Sequence, residues 1–445
     1  MKDKLAQLSI FLVVTLVSSL VVFNIVDFIY MAIVIIFMGI AIFHTETSIF
    51  ILLIGRDFIL KSYFYYTGHV LYISHVIFYH VAILLLLIML IIRKKKVYSF
   101  DLFNSTFVLL SLYLLFSTFV LSSFRGYGVE KLFYFSLTLL ACFGFASLIT
   151  KTKSVKYFAY ASFFQSLFLV LVSLVSDFDY KLFNGIISTS RFSILGINPI
   201  WVSRLLFYGL LSNLYLFRTN KNVLLRIGVI VISVLQFYYG FLTNSRGPLL
   251  ALILGIIVYS LFSIKKISMG KVMVILLVFA LMIGVGYNKI KNNPNSRFSG
   301  AGTGDTSTQS RLFAQYQAYT LFSTNIIFGG GWGSFSQYPL EYPHNVFTEI
   351  GSETGLIGLA IFLSLLIITL SRILSLHKHH NNHETCFLMA LLASSFINAN
   401  LSGHVGLNPF FWLSLYLVNH YYLISKREEN IAFSSQETIT YQERV

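Results

Sequence analysis

The chain has 445 residues, of which 56% are hydrophobic and only 11% are charged, with a formal net charge of +15. Soluble domains carry about 25% charged residues, so this composition argues against a soluble protein. The basic residues are spread over short loops and form no single stripe, which argues against nucleic-acid binding. Cys142 and Cys386 both lie within apolar runs, which argues against a disulfide framework.

Apolar runs long enough to cross a membrane recur along the whole chain. A helix needs about 17 to 25 apolar residues to cross the hydrocarbon core, which predicts an all-α polytopic integral membrane protein with about 12–14 transmembrane helices. The predicted spans are 8–26, 28–43, 47–66, 68–92, 105–122, 132–149, 157–176, 200–217, 225–243, 247–263, 270–287, 355–374, 385–401 and 410–424. Arg56, Asp57 and Lys61 interrupt the third, which leaves open a tilted, broken or interfacial segment.

Short basic loops set the predicted orientation. Arg93 to Lys96 form one cluster and Lys151 to Lys156 another, and the positive-inside rule places such loops in the cytoplasm. Both termini are then cytoplasmic. The sequence therefore predicts about 11 spans within 1–287, one large periplasmic or extracellular loop containing short helices at 288–354, about 3 spans within 355–425, and a disordered cytoplasmic tail at 426–445.

The long external loop is the first place to seek function, because loops of this length in a compact protein are uncommon. The segment Arg311 to Phe322 has helical spacing, with Arg311 and Gln315 on one side and four apolar or aromatic residues largely opposite: Leu312, Phe313, Tyr316 and Tyr319. This pattern predicts an interfacial amphipathic helix. A glycine run at 329–333 then predicts a sharp turn.

Five arginines lie on the predicted external side, where basic residues are usually scarce: Arg191, Arg204, Arg246, Arg297 and Arg311. The guanidinium group fits phosphate bidentately, which suits a pyrophosphate at the membrane surface. For any single arginine the alternative is an interfacial side chain that snorkels to lipid headgroups. Arg246 is the strongest candidate, since Pro248 fits the first turn of the following helix, whose unpaired N–H groups attract anions.

His344, at the end of the long loop, is the candidate general base, because histidine can accept a proton from a sugar hydroxyl near neutral pH. A lone histidine at a helix start is more often structural. The sequence leaves open whether Glu341, Thr348 or Glu349 orients His344, or whether Glu349 or Glu353 is itself the base. His404 is a weaker candidate. We interpret the histidines at 377–383 as a solvated loop and predict no metal site.

These residues resemble the O-antigen ligase and polymerase superfamily in order and spacing. The similar stretches are Asn244-Ser-Arg-Gly-Pro248, Ser310-Arg-Leu-Phe313, Gly329-Gly-Gly-Trp-Gly-Ser-Phe335, His344-Asn-Val-Phe-Thr-Glu-Ile-Gly-Ser-Glu-Thr-Gly-Leu-Ile-Gly358 and, more loosely, Arg191 to Pro199. The resemblance implies that Arg246 and Arg311 bind the pyrophosphate of an undecaprenyl-pyrophosphate-linked glycan. It further implies that His344 activates the acceptor hydroxyl and that no metal or other cofactor is needed. Predicted substrate-binding residues are Arg191, Arg204, Arg297, Glu349 and Glu353.

The expected function is a glycosyltransferase of the bacterial inner membrane, with its site on the external face. The number of predicted spans and the composition favour a surface-polysaccharide polymerase that acts on lipid-linked repeats, with a chain-length regulator and a flippase as possible partners. The alternative within the superfamily is an O-antigen ligase that transfers glycan to lipid A core. A flippase or transporter for lipid-linked oligosaccharide is a different class, which buried charges in several spans would favour.

Overall fold

The computed structural model describes residues 101–148, 152, 155–178, 192, 198–263, 306–380 and 382–442. Within these ranges the regular elements are helical, and no strand occurs. The ten α-helices are α1 (Leu102–Phe116), α2 (Arg125–Leu148), α3 (Val155–Phe178), α4 (Pro199–Thr219), α5 (Val223–Leu242), α6 (Arg246–Ser263), α7 (Thr306–Thr324), α8 (Val346–His379), α9 (His383–Leu401) and α10 (Pro409–Gln442).

Six of these helices are long and apolar enough to cross a membrane: α1 with the π-helical turn Ser117–Leu121 that follows it, α4, α5, α6, α8 and α9. The prediction of an all-α polytopic membrane protein is therefore confirmed. The predicted spans between 8 and 92, the span 270–287, most of the loop 176–199 and the first part of the long loop lie outside the described residues.

Several helices begin where a short polar side chain caps the backbone. Asn345 accepts hydrogen bonds from the N–H groups of Phe347 and Thr348, at 2.9 and 3.1 Å, and so starts α8. Asn382 caps α9 in the same way through Thr385 N at 2.9 Å. Such caps satisfy N–H groups that have no partner within the helix, which explains why these helices start at these residues.

The chain divides into two compact units. Unit 1 includes α3, α4 and α5, and unit 2 includes α1, α2 and α6 to α10. In unit 1 a buried amide pair links the three helices: Asn213 donates to Gln236 at 2.8 Å, and Gln236 donates to Ser166 at 2.6 Å. Polar groups buried among apolar helices satisfy one another in this way, which fixes the register between helices.

Unit 2 packs its helices so that α1 and α9 end where α2, α6, α8 and α10 begin. We call this the Lys131 end, after a buried lysine of α2 that contacts α8 there. At the opposite end Arg372 of α8 pairs with Asp101, the N-cap of α1, at 2.5 Å. We call that the Arg372 end. α8 reaches both ends, and the charged side chains that hold it are more deeply buried at the Lys131 end than at the Arg372 end.

α8 is broken at Gly355, where φ is 64° and ψ is −162°. The carbonyls of Ser352 and Glu353 accept hydrogen bonds from Gly330 N and Gly331 N, both at 2.9 Å. A Cβ on Gly355 would lie 2.3 Å from the carbonyl oxygen of Ile327, so the backbones approach as only glycine permits. The glycine run therefore satisfies the backbone of a broken helix.

Three helices have bounds that differ from the predicted ones. The prediction began a span at 355, whereas α8 begins at Val346 and breaks at Gly355, because a capped turn precedes the apolar stretch. α10 continues to Gln442, so residues 427–442, part of the tail that was expected to be disordered, are helical. The predicted helix 311–322 is part of α7, which begins at Thr306. Its apolar face is exposed as the amphipathic pattern predicted, with Leu312, Phe313, Tyr316 and Tyr319 between 56% and 69% exposed.

Candidate active site

His344 lies at the Lys131 end, immediately before the N-cap of α8. Its backbone is in the left-handed region, with φ at 59°, which few residues other than glycine adopt. Its ring packs edge to face on Tyr342, with ring centroids 4.5 Å apart. Sparsely populated backbone conformations persist where the surrounding structure fixes them and are common at functional sites. The position of His344 is therefore set by its neighbours.

Arg311 lies on α7, which is attached to the segment that carries His344. Gln315 Nε2 donates to the carbonyl oxygen of Pro343 at 2.6 Å, and Pro343 directly precedes His344. Residues four apart share one helix face, so Arg311 lies on the face of α7 that contacts this segment. Its side chain is partly buried. The structure thus brings the α7 face of Arg311 beside His344.

Arg246 is the first residue of α6, and Pro248 lies in the first turn as predicted. α6 packs along α9, with Gly247 beside Leu401, the last residue of α9. Asn244, two residues before Arg246, also has a left-handed backbone with φ at 54°. An arginine at a helix N-terminus adds its charge to the positive end of the helix dipole. This arrangement favours an anionic ligand at the start of α6.

The turn after α9 joins the neighbourhood of Arg246 to that of His344. His404 lies in this turn, is 4% exposed, and accepts a hydrogen bond at Nδ1 from Gly406 N at 3.1 Å. Its ring lies 5.5 Å from that of Tyr342, which also packs on His344. Burial, together with the charge of Lys131, lowers the pKa of His404 to about 3. His404 is therefore neutral near pH 7 and carries its proton on Nε2.

A buried cluster of three charged side chains lies between α2, the first turns of α8 and the turn after α9. Lys131 Nζ is 2.7 Å from Glu349 Oε1 and 2.5 Å from Glu353 Oε2. It also lies 4.2 Å from the centre of the Trp332 ring. Lys131 is 1% exposed and both glutamates are fully buried. Buried charges occur only where partners and hydrogen bonds compensate for lost water, which this lysine–glutamate cluster provides.

The remaining glutamate oxygens of the cluster accept hydrogen bonds from the backbone. Glu349 Oε2 accepts from Val405 N at 3.0 Å, and Glu353 Oε1 accepts from Phe335 N at 3.2 Å. The two carboxylates thus face the interior of unit 2. Both carboxylates hold backbone segments together, and a substrate-binding role for Glu349 and Glu353 stays a prediction.

Three predicted substrate-binding arginines lie outside the described part of unit 2. Arg204 belongs to unit 1, where it is 3% exposed and its guanidinium lies 5.1 Å from the centre of the Trp201 ring. Arg191 and Arg297 lie outside the described residues. Of the eight predicted site residues, Arg246, Arg311, His344, Glu349 and Glu353 lie at the Lys131 end.

Sequence reasoning missed Lys131. It directly precedes the predicted span 132–149 and was treated as a loop residue, whereas α2 begins six residues earlier at Arg125. A lysine at the edge of an apolar helix is a signal in itself, because ionisable residues in membrane helices are costly and are kept for a reason. Its partners are distant in sequence, so the cluster could not be inferred from spacing.

Residues 231–363 match the sequence model of a protein family described as O-antigen ligase. The match includes Arg246, Arg311, His344 and both glutamates of the cluster. No curated protein sequence matches the chain. The family match indicates glycosyltransferase activity of the O-antigen ligase or polymerase type. The protein is thus a polytopic all-helical membrane protein that contains, over residues 231–363, a region similar to the O-antigen ligase family.

Proposed function

We propose that the protein is a surface-polysaccharide polymerase that transfers a glycan from undecaprenyl pyrophosphate to a hydroxyl of a lipid-linked repeat unit. The observation that carries the proposal is the placement of Arg246, the Arg311 face of α7 and His344 at one end of unit 2. Two arginines suit a pyrophosphate, and a histidine at the same end of unit 2 suits the hydroxyl.

The proposed reaction is a single inverting displacement. The acceptor oxygen attacks the anomeric carbon of the donor sugar and forms the new glycosidic bond, while the hydroxyl proton passes to His344. The bond from that carbon to the pyrophosphate oxygen breaks, and undecaprenyl pyrophosphate leaves with the electron pair. Arg246 and Arg311 stabilise the developing charge, an effect of about 3 kcal/mol for each well-placed donor.

The proposed polymerase function implies a cellular location and a set of partners. The site faces the exterior of the bacterial inner membrane, both termini are cytoplasmic, and the chain acts with a flippase and a chain-length regulator. The orientation is supported by the sequence: α2 begins at the Lys131 end and is followed by a basic cluster, Lys151 to Lys156, which the positive-inside rule places in the cytoplasm. The proposed mechanism uses no metal, as the resemblance to the superfamily implies.

The match to a family described as O-antigen ligase favours one alternative, an O-antigen ligase that transfers finished glycan to lipid A core. Deletion of the gene, followed by analysis of lipid-linked and surface glycan, separates the possibilities. Loss of a polymerase leaves single repeats on the surface, and loss of a ligase leaves full polymer on the carrier lipid. Loss of a flippase, the candidate from another class, leaves repeats at the cytoplasmic face.

The site assignment is tested by complementing that deletion with variants. We expect His344→Ala and Arg246→Ala to leave glycan no longer than in the deletion strain, at normal protein level. His379→Ala is the matched control, because His379 is exposed at the other end of α8 and should restore full glycan. Normal glycan length and yield with both site variants would refute the assignment.

A further inference from the structure

We propose that Lys131 is a positioning residue that, through Glu349 and Glu353, fixes the place of His344 in the glycosyl-transfer site. The inference rests on the function proposed above and adds a residue outside its set of substrate contacts. Lys131 is buried, so it acts through the segments that its two carboxylate partners hold.

The first connection runs through α8. Glu349 and Glu353 are one helical turn apart and face Lys131 of α2. Glu349 lies in the first turn of α8, whose cap, Asn345, is covalently next to His344. Since Asn345 binds Phe347 N and Thr348 N, the backbone from His344 to Glu349 is one tied segment. A shift of the Glu349 carboxylate therefore moves His344.

The second connection runs through the turn after α9. Glu349 Oε2 accepts from Val405 N, which fixes the residue after His404. His404 packs against Tyr342, and Tyr342 packs against His344. The carboxylate that pairs with Lys131 thus also fixes the turn of His404, which packs Tyr342 against the His344 ring.

The third connection runs through the loop that precedes His344. Glu353 Oε1 accepts from Phe335 N, and Lys131 lies over the ring of Trp332. Trp332 N in turn donates to Ser117 Oγ at 2.9 Å, in the π-helical turn that follows α1. Three separate segments near His344 therefore meet at one ammonium group, which draws both carboxylates together.

Replacement of Lys131 by a neutral residue removes the charge that holds Glu349 and Glu353 together. Two buried carboxylates would face each other without the charge that holds them, and their repulsion would push the first turns of α8 and its partners apart. A misplacement of a catalytic group by about 1 Å costs on the order of a hundredfold in rate, even when the altered residue lies away from the chemistry. The rate should fall while the affinity for the donor, set by Arg246 and Arg311, remains.

The experiment measures transfer kinetics of purified Lys131→Met in liposomes with an undecaprenyl-pyrophosphate-linked repeat unit as substrate. Arg372→Met is the matched control, because Arg372 also pairs with a carboxylate and also joins α8 to a neighbouring helix, but at the other end. We expect Lys131→Met to lower kcat per folded molecule by about tenfold to a hundredfold with KM within about twofold, and Arg372→Met to leave both within about twofold.

A purely structural role for Lys131 predicts a different result. Both variants would then lose thermal stability but keep the wild-type kcat per folded molecule, and that outcome overturns the inference. A raised KM with unchanged kcat also overturns it, since it would assign Lys131 to donor binding.

If Lys131→Met does not fold, the test uses Lys131→Met combined with Glu349→Gln and Glu353→Gln. The amide oxygens can still accept from Val405 N and Phe335 N, and no carboxylate is left without a partner. We expect this variant to fold, because no buried charge is left unpaired, and to keep a lowered kcat, because no ammonium group draws the two side chains together, whereas a wild-type kcat overturns the inference. Failure of the proposed function itself is distinguished by His344→Ala: transfer that persists in His344→Ala refutes the function, whatever Lys131 does.

Discussion

The two ends of unit 2 hold the same helix in different ways. At the Lys131 end, α8 is fixed by three fully or almost fully buried charges that tie together α2, the glycine loop and the turn after α9. At the Arg372 end, α8 is fixed by one ion pair in which Arg372 and Asp101 are each 12% exposed, with Asn419 as a further partner at 3.0 Å.

The comparison shows that the protein buries its charged side chains most deeply at the end that carries the candidate site. An ion pair near the surface suffices to join two helices, as the Arg372 end shows. A buried cluster costs desolvation and contributes little net stability compared with apolar packing, but it is very sensitive to the loss of one partner. The Lys131 end is also where His344 and Glu341 have left-handed backbones. Strain and buried charge thus coincide with the candidate site.

The largest expected effect is on stability. Lys131→Met should lower the free energy of unfolding by about 3–5 kcal/mol, because it strands two buried carboxylates, and Arg372→Met should cost about 1–2 kcal/mol. Thermal unfolding of both purified variants in the same detergent measures the difference. Equal losses would show that the two ends do not differ in the way that their burial implies.

The next effect is on transfer rate. Arg246→Lys keeps the charge but loses the planar bidentate donor, so we expect kcat/KM to fall by about tenfold to a hundredfold. Arg372→Lys, the same substitution at the opposite end, should leave kcat/KM within about twofold. Initial rates on lipid-linked repeat units decide this. An unchanged rate in Arg246→Lys would mean that a diffuse positive charge is enough.

A smaller effect is expected from the break in α8. Gly355→Ala should destabilise the protein by about 1–3 kcal/mol, since a Cβ cannot fit against Ile327 with φ at 64°. Gly351→Ala is the control, because its Cβ would lie 4.0 Å from the nearest atom, on Leu359, in regular helix, and should be neutral or stabilising. If both variants melt alike, the break is not a fixed feature of α8.

The last effect, spread over several pH units, is a pH dependence from His404. Its folded pKa, about 3, is below the ordinary value, so its contribution is fully present above about pH 6.5 and is lost as the pH falls toward 3. The slope is up to about 1.4 kcal/mol per pH unit in that window. His404→Asn keeps an acceptor for Gly406 N and should flatten the slope. Melting curves from pH 7 to 4 measure it, and an identical slope in the variant would exclude His404 as the cause.

The sequence predicted those parts of the structure that depend on local pattern. Helical spacing predicted α7, glycines predicted the turn at 329–333, and Pro248 marked the first turn of α6. The start of α8 at Val346 was missed because the polar turn before the apolar stretch looked like loop. Lys131 was missed because its partners, Glu349 and Glu353, are more than 200 residues away in sequence. Contacts of that separation follow from packing, and periodicity carries no information about them.

The most direct measurement of the central claim is glycosyl transfer by purified protein in liposomes that contain only the undecaprenyl-pyrophosphate-linked repeat unit. We expect wild-type protein to form polymer with inversion at the anomeric carbon, with or without EDTA, and His344→Ala to form none. Retention of configuration, loss of transfer in EDTA, or polymer formation by His344→Ala at the wild-type rate would contradict the account.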